Sequence, residues 1–313
     1  MTSILIFDFS SAYVNGFKLQ EGNKGALSPS LGLAWVVKND KYSQKGGFNY
    51  LKIRLSGGIM NIDLPNTSNF RLYENSLTQG SNFSWFDGVR SNRETRITRA
   101  ANSGLTFEKV HNLNLGAEGY FLNRSLLVDA NIFTTRNSGQ VVQRNIYPGL
   151  VSDFVPYENY NATGYSGAEL GMIWSKPLGE LTMDLGVNFM YAASNIVKTD
   201  ELWENEYQMR QGRPADAIFA LEADGLFADE TEIQNSPVQA FGQVRPGDIK
   251  YKDQNGDGVI NQNDEIQIGN SQPRFSYGLH TTLRYKKLSL FALGNGQSGA
   301  DRFFNNQYFW VQG

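Results

Sequence analysis

The chain of 313 residues contains no cysteine and only two histidines, His111 and His280. Without cysteine there is no disulfide framework, no thiolate nucleophile and no Cys-ligated zinc. Two histidines far apart in sequence provide little for imidazole catalysis. Charge is also scarce, at 19% of residues, below the roughly 25% of an ordinary globular domain. The 28 basic and 31 acidic residues leave a net charge of −3, which gives no electrostatic footprint for nucleic acid. Long apolar runs are missing: the longest, Leu31–Val37 (LGLAWVV), is seven residues including a glycine, whereas a membrane-spanning helix needs about 18 or more. The N-terminal MTSILIFDFSS has neither the basic start nor the long apolar region of a signal peptide. Helical membrane proteins are excluded. A membrane β-barrel is not, because only one face of each strand has to be apolar.

Aromatic residues, by contrast, are plentiful at 13%, which rules out a disordered chain. Period-2 alternation recurs from end to end, and sustained helical periodicity is hard to find. In the clearest strand, Leu181, Met183, Leu185, Val187, Phe189 and Tyr191 share one face, and Thr182, Asp184, Gly186 and Asn188 share the other. Asp184 and Asn188 would be costly in a dry core and suit a wet interior. About nine strands are expected, near residues 3–14, 29–38, 50–61, 109–122, 125–142, 165–175, 180–196, 274–286 and 288–299. Their connections alternate: tight turns at 123–124, 176–179 and 286–287, long segments at 62–108, 143–164 and 197–273. Short turns at one end and long loops at the other are the pattern of an outer-membrane barrel. Trp35, Trp174, Tyr120, Tyr191 and Tyr285 fall near strand ends, where interfacial aromatics would sit. The alternative on pattern is a soluble sandwich or propeller, although no regular repeat of about 40–50 residues supports a propeller.

One local motif carries chemistry. Asp253, Asn255, Asp257, Asn261 and Asp264 place side-chain oxygens at positions 1, 3, 5, 9 and 12 of a dodecamer, with Gly258 at position 6 and the Val259 carbonyl at position 7. This is the spacing of a calcium loop. The flanking residues read as strands, so it is no helix–loop–helix hand, and a metal-free Asn/Asp/Gly turn is the alternative. Three carboxylates within twelve residues repel one another unless a cation neutralises them, and a structural Ca2+ is the expected cofactor. Glu201, Glu204 and Glu206 read as a solvated acidic edge rather than a glycosidase pair. There is no G-x-S-x-G elbow, and Gly294–Gly299 lacks the Lys-Ser/Thr of a phosphate loop. No motif here singles out a catalytic residue.

The run from Pro246, PGDIKYKDQNGDGVINQNDEIQIGNSQPRFSYGLHTTLRYKKLSLFALGNGQSG, resembles the SusC/RagA-like family of TonB-dependent outer-membrane transporters. Arg210–Phe227 (RQGRPADAIFALEADGLF) is similar to the family's segment ending in DGLF. SPSLGLAWVV, YLKIRLSGG and GELTMDLGVNFMYAASNIV match further strands, so the resemblance extends from about Ser28 to Gly299. The chain departs from the family at GYSGAELGMIW, where only Gly167 and Glu169 are kept, and at Ala220, where a tyrosine is usual.

The resemblance implies an all-β fold, an antiparallel section of about nine strands from a large transmembrane β-barrel. Residues 1–313 would be barrel without plug domain or C-terminal strands, and 197–273 a long extracellular loop containing the calcium-like motif at 253–264. It implies an importer of large nutrients, glycans or oligopeptides, in the outer membrane of a Bacteroidetes-type bacterium. A SusD-like surface lipoprotein would be the lid, and TonB would act through the missing plug. Trp85, Phe86 and Trp203 are candidate stacking aromatics for a substrate, with ordinary loop packing as the alternative. A β-rich glycan-binding or glycan-hydrolysing protein, soluble or surface-attached, and a passive porin are the competing readings.

Overall fold

The computed structural model describes residues 3–39, 48–64, 71–84, 91–147 and 154–304. Its strands run β1 (Ile4–Asn15), β2 (Gly25–Asn39), β3 (Phe48–Ile62), β4 (Ser76–Ser84), β5 (Ser91–Arg99), β6 (Glu108–Phe121), β7 (Leu126–Gln143), β8 (Tyr157–Leu178) and β9 (Leu181–Lys198). Six short strands follow: β10 (Ala217–Ala220), β11 (Ala223–Leu226), β12 (Val238–Gln239), β13 (Ile249–Tyr251), β14 (Val259–Ile260) and β15 (Ile266–Asn270). One helical turn, α1 (Glu230–Gln234), lies among them. The long strands β16 (Phe275–Tyr285) and β17 (Leu288–Ser298) close the described chain. Nine long strands form one sheet in the order β1-β2-β3-β6-β7-β8-β9-β16-β17, and every neighbouring pair is antiparallel.

Residues directly opposite across such a ladder share a face, so the register assigns the two sides of the sheet. One row links Phe7, Leu33, Leu55, Leu115, Ile132, Ala168, Tyr191 and Phe275. The row on the opposite face links Lys52, Glu118, Asp129, Gly171, Asn188, Gly278 and Asn295. The apolar side is open to its surroundings: Phe7 is 68% exposed and Ile132 55%. A sheet this wide presenting such a face to water would be an aggregation template; lipid is the solvent that suits it.

The two ends of the sheet differ. At one end β6 meets β7 through Leu122–Ser125, β8 meets β9 through Gly179–Glu180, and β16 meets β17 through Lys286–Lys287. Leu122, Asn123, Arg124 and Lys286 all take positive φ, and Gly179 lies at φ +68; the glycine adopts that conformation at no steric cost. The turn expected at 176–179 is therefore one step later, because β8 continues through Lys176, Pro177 and Leu178. At the other end lie the long connections, and there the buried core gathers. Leu19, Leu64, Leu72, Leu105, Phe107 and Val141 pack together, with Val14, Ala26 and Tyr157 against them.

β8 differs most from expectation, with 22 residues from Tyr157 rather than 165–175. At ~3.3 Å per residue it spans ~70 Å, well beyond what a tilted strand needs to cross ~30 Å of hydrocarbon. Its first half, YENYNATG, pairs with the end of β7 and has no apolar face. A strand standing clear of lipid does not need one, so alternation could not reveal it.

Candidate functional site: the polar inner face and the segments above it

The polar face of the sheet lines a groove of about 930 Å³ whose walls include Asp129, Asn131, Glu169, Asn188, Asn295 and Gln297. Arg54 on β3 reaches across β6 to β7: its Nη2 donates to Asp129 Oδ2 at 2.6 Å and to Asn131 Oδ1 at 3.1 Å. Asn131 Nδ2 in turn donates to Asp129 Oδ1 at 2.6 Å. Gly116 makes this reach possible, since a Cβ there would collide with the Asn131 side chain and crowd the Arg54 guanidinium. Arg284 pairs with Asp184 at 2.5 Å. These groups are partly solvated, so each pair contributes little stability. Their effect is to keep a charged, hydrated wall that lipid could not tolerate. His280 lies on this wall, its ring set against Gly186.

Two buried ionic centres anchor the long segments. Arg144 Nε faces Asp200 Oδ1 at 2.8 Å, Arg144 Nη1 donates to Glu158 Oε2 at 3.1 Å, and Tyr147 Oη donates to Glu158 Oε1 at 2.7 Å. Burial pushes the Asp200 carboxyl up, but the Asn145 N–H, the Arg144 guanidinium and the Ile146 N–H outweigh it and hold it below the usual aspartate value. The second centre is Asp216, which accepts from Ser194 Oγ at 2.8 Å, Gln272 N at 3.0 Å and Arg274 Nη2 at 2.9 Å. Burial again raises the carboxyl and these three donors lower it, with a net depression. Asp216 thus ties β9 to the start of β16 and holds both ends of the 199–274 segment on the sheet rim.

Within that segment the 253–264 dodecamer folds on its own backbone. Asp253 accepts from Gly256 N at 2.7 Å and Gly258 N at 2.8 Å, and Asp257 accepts from Val259 N at 2.8 Å. Asp264 is fully buried; its two oxygens take Gln254 N at 2.9 Å and Asn261 N at 2.8 Å, bridging the ends of the loop. Asn261 Oδ1 caps Asn263 N at 2.7 Å. Among the described residues no three His, Cys, Asp or Glu side chains are gathered as for a metal ion. In this geometry the oxygens of Asp253, Asp257 and Asp264 turn to backbone N–H groups.

No family model matches the chain. Two receptors from Formosa agariphila align along nearly all of it. TonB-dependent receptor P26 is 23% identical over 92% of the chain and 30% of the receptor. TonB-dependent receptor P3 is 22% identical over 91% of the chain and 29% of the receptor. Among solved structures, the RagAB peptide transporter superposes with a TM-score of 0.68 at 17% identity, over 94% of this chain and 32% of that one. The RagAB peptide importer in its open-open state gives 0.71 at 18% identity, over 95% and 31%. The chain shares the fold of a section of these RagAB structures. It spans about a third of the length of these relatives, none of which is an enzyme by name.

Trp85 and Phe86 lie outside the described residues. Trp203 is tied down: its Nε1 donates to Glu201 Oε2 at 2.9 Å, while Glu201 also accepts from Arg210 N and Gln211 N. Glu201 closes a turn. The sequence reading did not single out Arg54, Arg144, Asp200, Asp216 or Arg274. Their side-chain partners are 14 to 77 residues away in the chain, and the folded sheet and its rim bring them together.

Proposed function

We propose that the parent protein is an outer-membrane importer of large nutrients, oligopeptides or glycans, in a Bacteroidetes-type bacterium. A SusD-like surface lipoprotein acts as its lid, and TonB supplies the energy through a plug outside this section. The observation that carries the reading is the nine-strand sheet itself, apolar on one face, charged on the other and superposable on RagAB over most of its length. Among the described residues β1 and β17 are each paired on one side only, and an open edge in lipid leaves its N–H and C=O groups unsatisfied. Further strands of the parent flank both. The section forms barrel wall, and its long segments face the outside. Deleting the parent gene should abolish growth on one class of oligomeric nutrient, and so should deleting TonB. Growth lost in the first strain but kept in the second would point to a passive porin.

Orientation has its own test. An epitope in α1 should be labelled on intact cells, and one replacing Lys286–Lys287 only after the outer membrane is opened. Labelling at Lys286 on intact cells would reverse the topology.

The 253–264 loop is read as a calcium-stiffened strut through Asp253, Asn255, Asp257, the Val259 carbonyl, Asn261 and Asp264. Supporting this are the spacing of the oxygen donors along the loop and its closure by Asp264, which accepts from Gln254 N and Asn261 N. Beside the loop, Tyr207 Oη donates to Asn263 O at 2.6 Å. Calcium suits the mixed carboxylate and carbonyl donors and the flexible loop better than magnesium does; its effect would be to hold the segment in shape. Calcium should raise the resistance of the 199–273 segment to protease in the parent, and Asp257→Ala should abolish that gain. Equal protection in both proteins would leave only the metal-free turn.

A further inference from the structure

Glu108, the first residue of β6, is fully buried. Its Oε1 accepts from Val141 N at 3.0 Å, and its Oε2 is buried with no hydrogen-bond partner. It stands above the lipid span: Lys109 and His111, on the outward face beside it, are polar and exposed, and the apolar row begins at Leu113. Glu108 lies against the rim core, where Leu64, Leu72, Leu105 and Phe107 of the 62–107 segment meet Leu19 and Val141. That segment carries the β4–β5 hairpin, a two-stranded sheet of its own. Uncharged amides tie it to the rim: Asn23 Nδ2 donates to Leu105 O at 3.1 Å and Asn159 Nδ2 to Thr106 O at 2.9 Å.

No ion pair among the described residues reaches the Glu108 carboxyl. On β3, Ile62 stands opposite it, followed by Asp63, a second acid whose Oδ1 is also buried and unpartnered. From the β1–β2 turn, Lys18 Nζ donates to Leu64 O at 3.0 Å. On the segment itself, Arg71 pairs with Glu74, and Arg99 Nη2 donates to Arg71 O. Beyond Val141 on β7, Arg144 is held by Asp200 and Glu158, and Glu158 of β8 also takes Tyr147 Oη. Tyr157 of β8 packs against the core.

We propose that Glu108 is a proton-operated latch: with its carboxyl protonated the 62–107 segment seats on the rim, and ionisation of that carboxyl releases it. Enclosing a carboxylate that has one N–H donor and no cation is costly, and a proton removes the cost. Burial accordingly raises the pKa of Glu108, with the Val141 N–H working against it. The contribution of a raised group is complete below the ordinary glutamate value of ~4.3 and is lost as pH rises through the raised value. Asp216 has the opposite sign, because its pKa is depressed. The 62–107 segment is therefore held tightest in acid, and the 199–274 segment at neutral pH.

The test uses the full-length transporter in lipid, any other cysteine replaced, with nitroxides at Glu21→Cys and Thr95→Cys. The first position lies on the β1–β2 turn and the second on β5, both exposed. The spread of distances between them should be narrow at about pH 4 and broaden towards neutral pH. Glu108→Gln keeps an acceptor for Val141 N but never ionises, so the spread should stay narrow throughout. Glu108→Met, neutral and apolar, should lose the pH response in the same way. Asp63→Asn should keep it. Equal amounts of heat-resistant barrel show that all these proteins fold. A wild-type spread unchanged by pH overturns the latch, as does a pH response kept by both Glu108 variants. Loss of the response in Asp63→Asn with Glu108 intact overturns it too, because the titrating group is then Asp63.

Discussion

Val187→Arg is expected to destabilise the assembled barrel by roughly 2–4 kcal/mol, the cost of a guanidinium near the middle of the lipid. Val187 sits opposite Met172 on β8 and Leu279 on β16, a row of the apolar face with no polar neighbour to receive the charge. Its sequence neighbour Asn188 points the other way, opposite Gly171 and Gly278, into the groove beside Asp129 and Glu169. Asn188→Arg should therefore cost less than about 1 kcal/mol, as ordinary surface changes do. Urea unfolding of the two variants in the same lipid measures the difference. A soluble two-sheet protein would bury Val187 in a dry core, and both the size and the order of the two effects would then change.

The second large effect is expected at the rim. Arg274→Met should release the 199–274 segment, because Asp216 and Arg274 are both about nine-tenths buried, with side-chain exposures of 12% and 13%. Removing one partner of such a pair typically costs ~3–5 kcal/mol, since the remaining charge is stranded. Replacing both, as Asp216→Leu with Arg274→Met, should recover part of that loss. The pH dependence has a definite sign. The folded-state pKa of Asp216 is depressed, so its contribution is complete above the ordinary aspartate value of ~3.9 and is lost as pH falls through the depressed value. Protease cleavage within 199–274 should thus be slow at neutral pH and rise only in acid, and Asp216→Asn should flatten that profile while raising cleavage at pH 7. Cleavage of Arg274→Met at the wild-type rate would show that the segment is held elsewhere.

The nine long strands were legible in the sequence because lipid on one side and water on the other impose a strict period of 2. Where that constraint ends, so does legibility. The first half of β8 and the start of β2 at Gly25 stand above the apolar rows and show no alternation. The small strands β10–β15 are two to five residues long, too short for any period to register. The core of Leu19, Leu64, Leu72, Leu105, Phe107 and Val141 joins four distant stretches, none of which is patterned by itself. At the 253–264 loop, spacing identified the residues that fold together but not their hydrogen bonding, since the same Asp and Asn side chains that suit a cation also suit the N–H groups of a tight turn. Asp216 and Arg274 were hidden for a simpler reason: a lone Asp and a lone Arg carry no motif, and 58 residues separate them.

The most direct test of the account is site-by-site accessibility across one hydrogen-bonded row and its neighbour. The chain contains no cysteine, so single cysteines at Leu55, Leu115 and Ile132, and at Arg54, Asn131 and Glu169, can be labelled individually in the parent once any cysteine elsewhere is replaced. With nitroxide labels in membranes, the first three should be relaxed by oxygen dissolved in lipid and the second three by a water-soluble nickel chelate. The preference should reverse between Arg54 and Leu55, one residue apart. The same preference at both positions, or water access at all six, would contradict a sheet with lipid on one face and a hydrated lumen on the other.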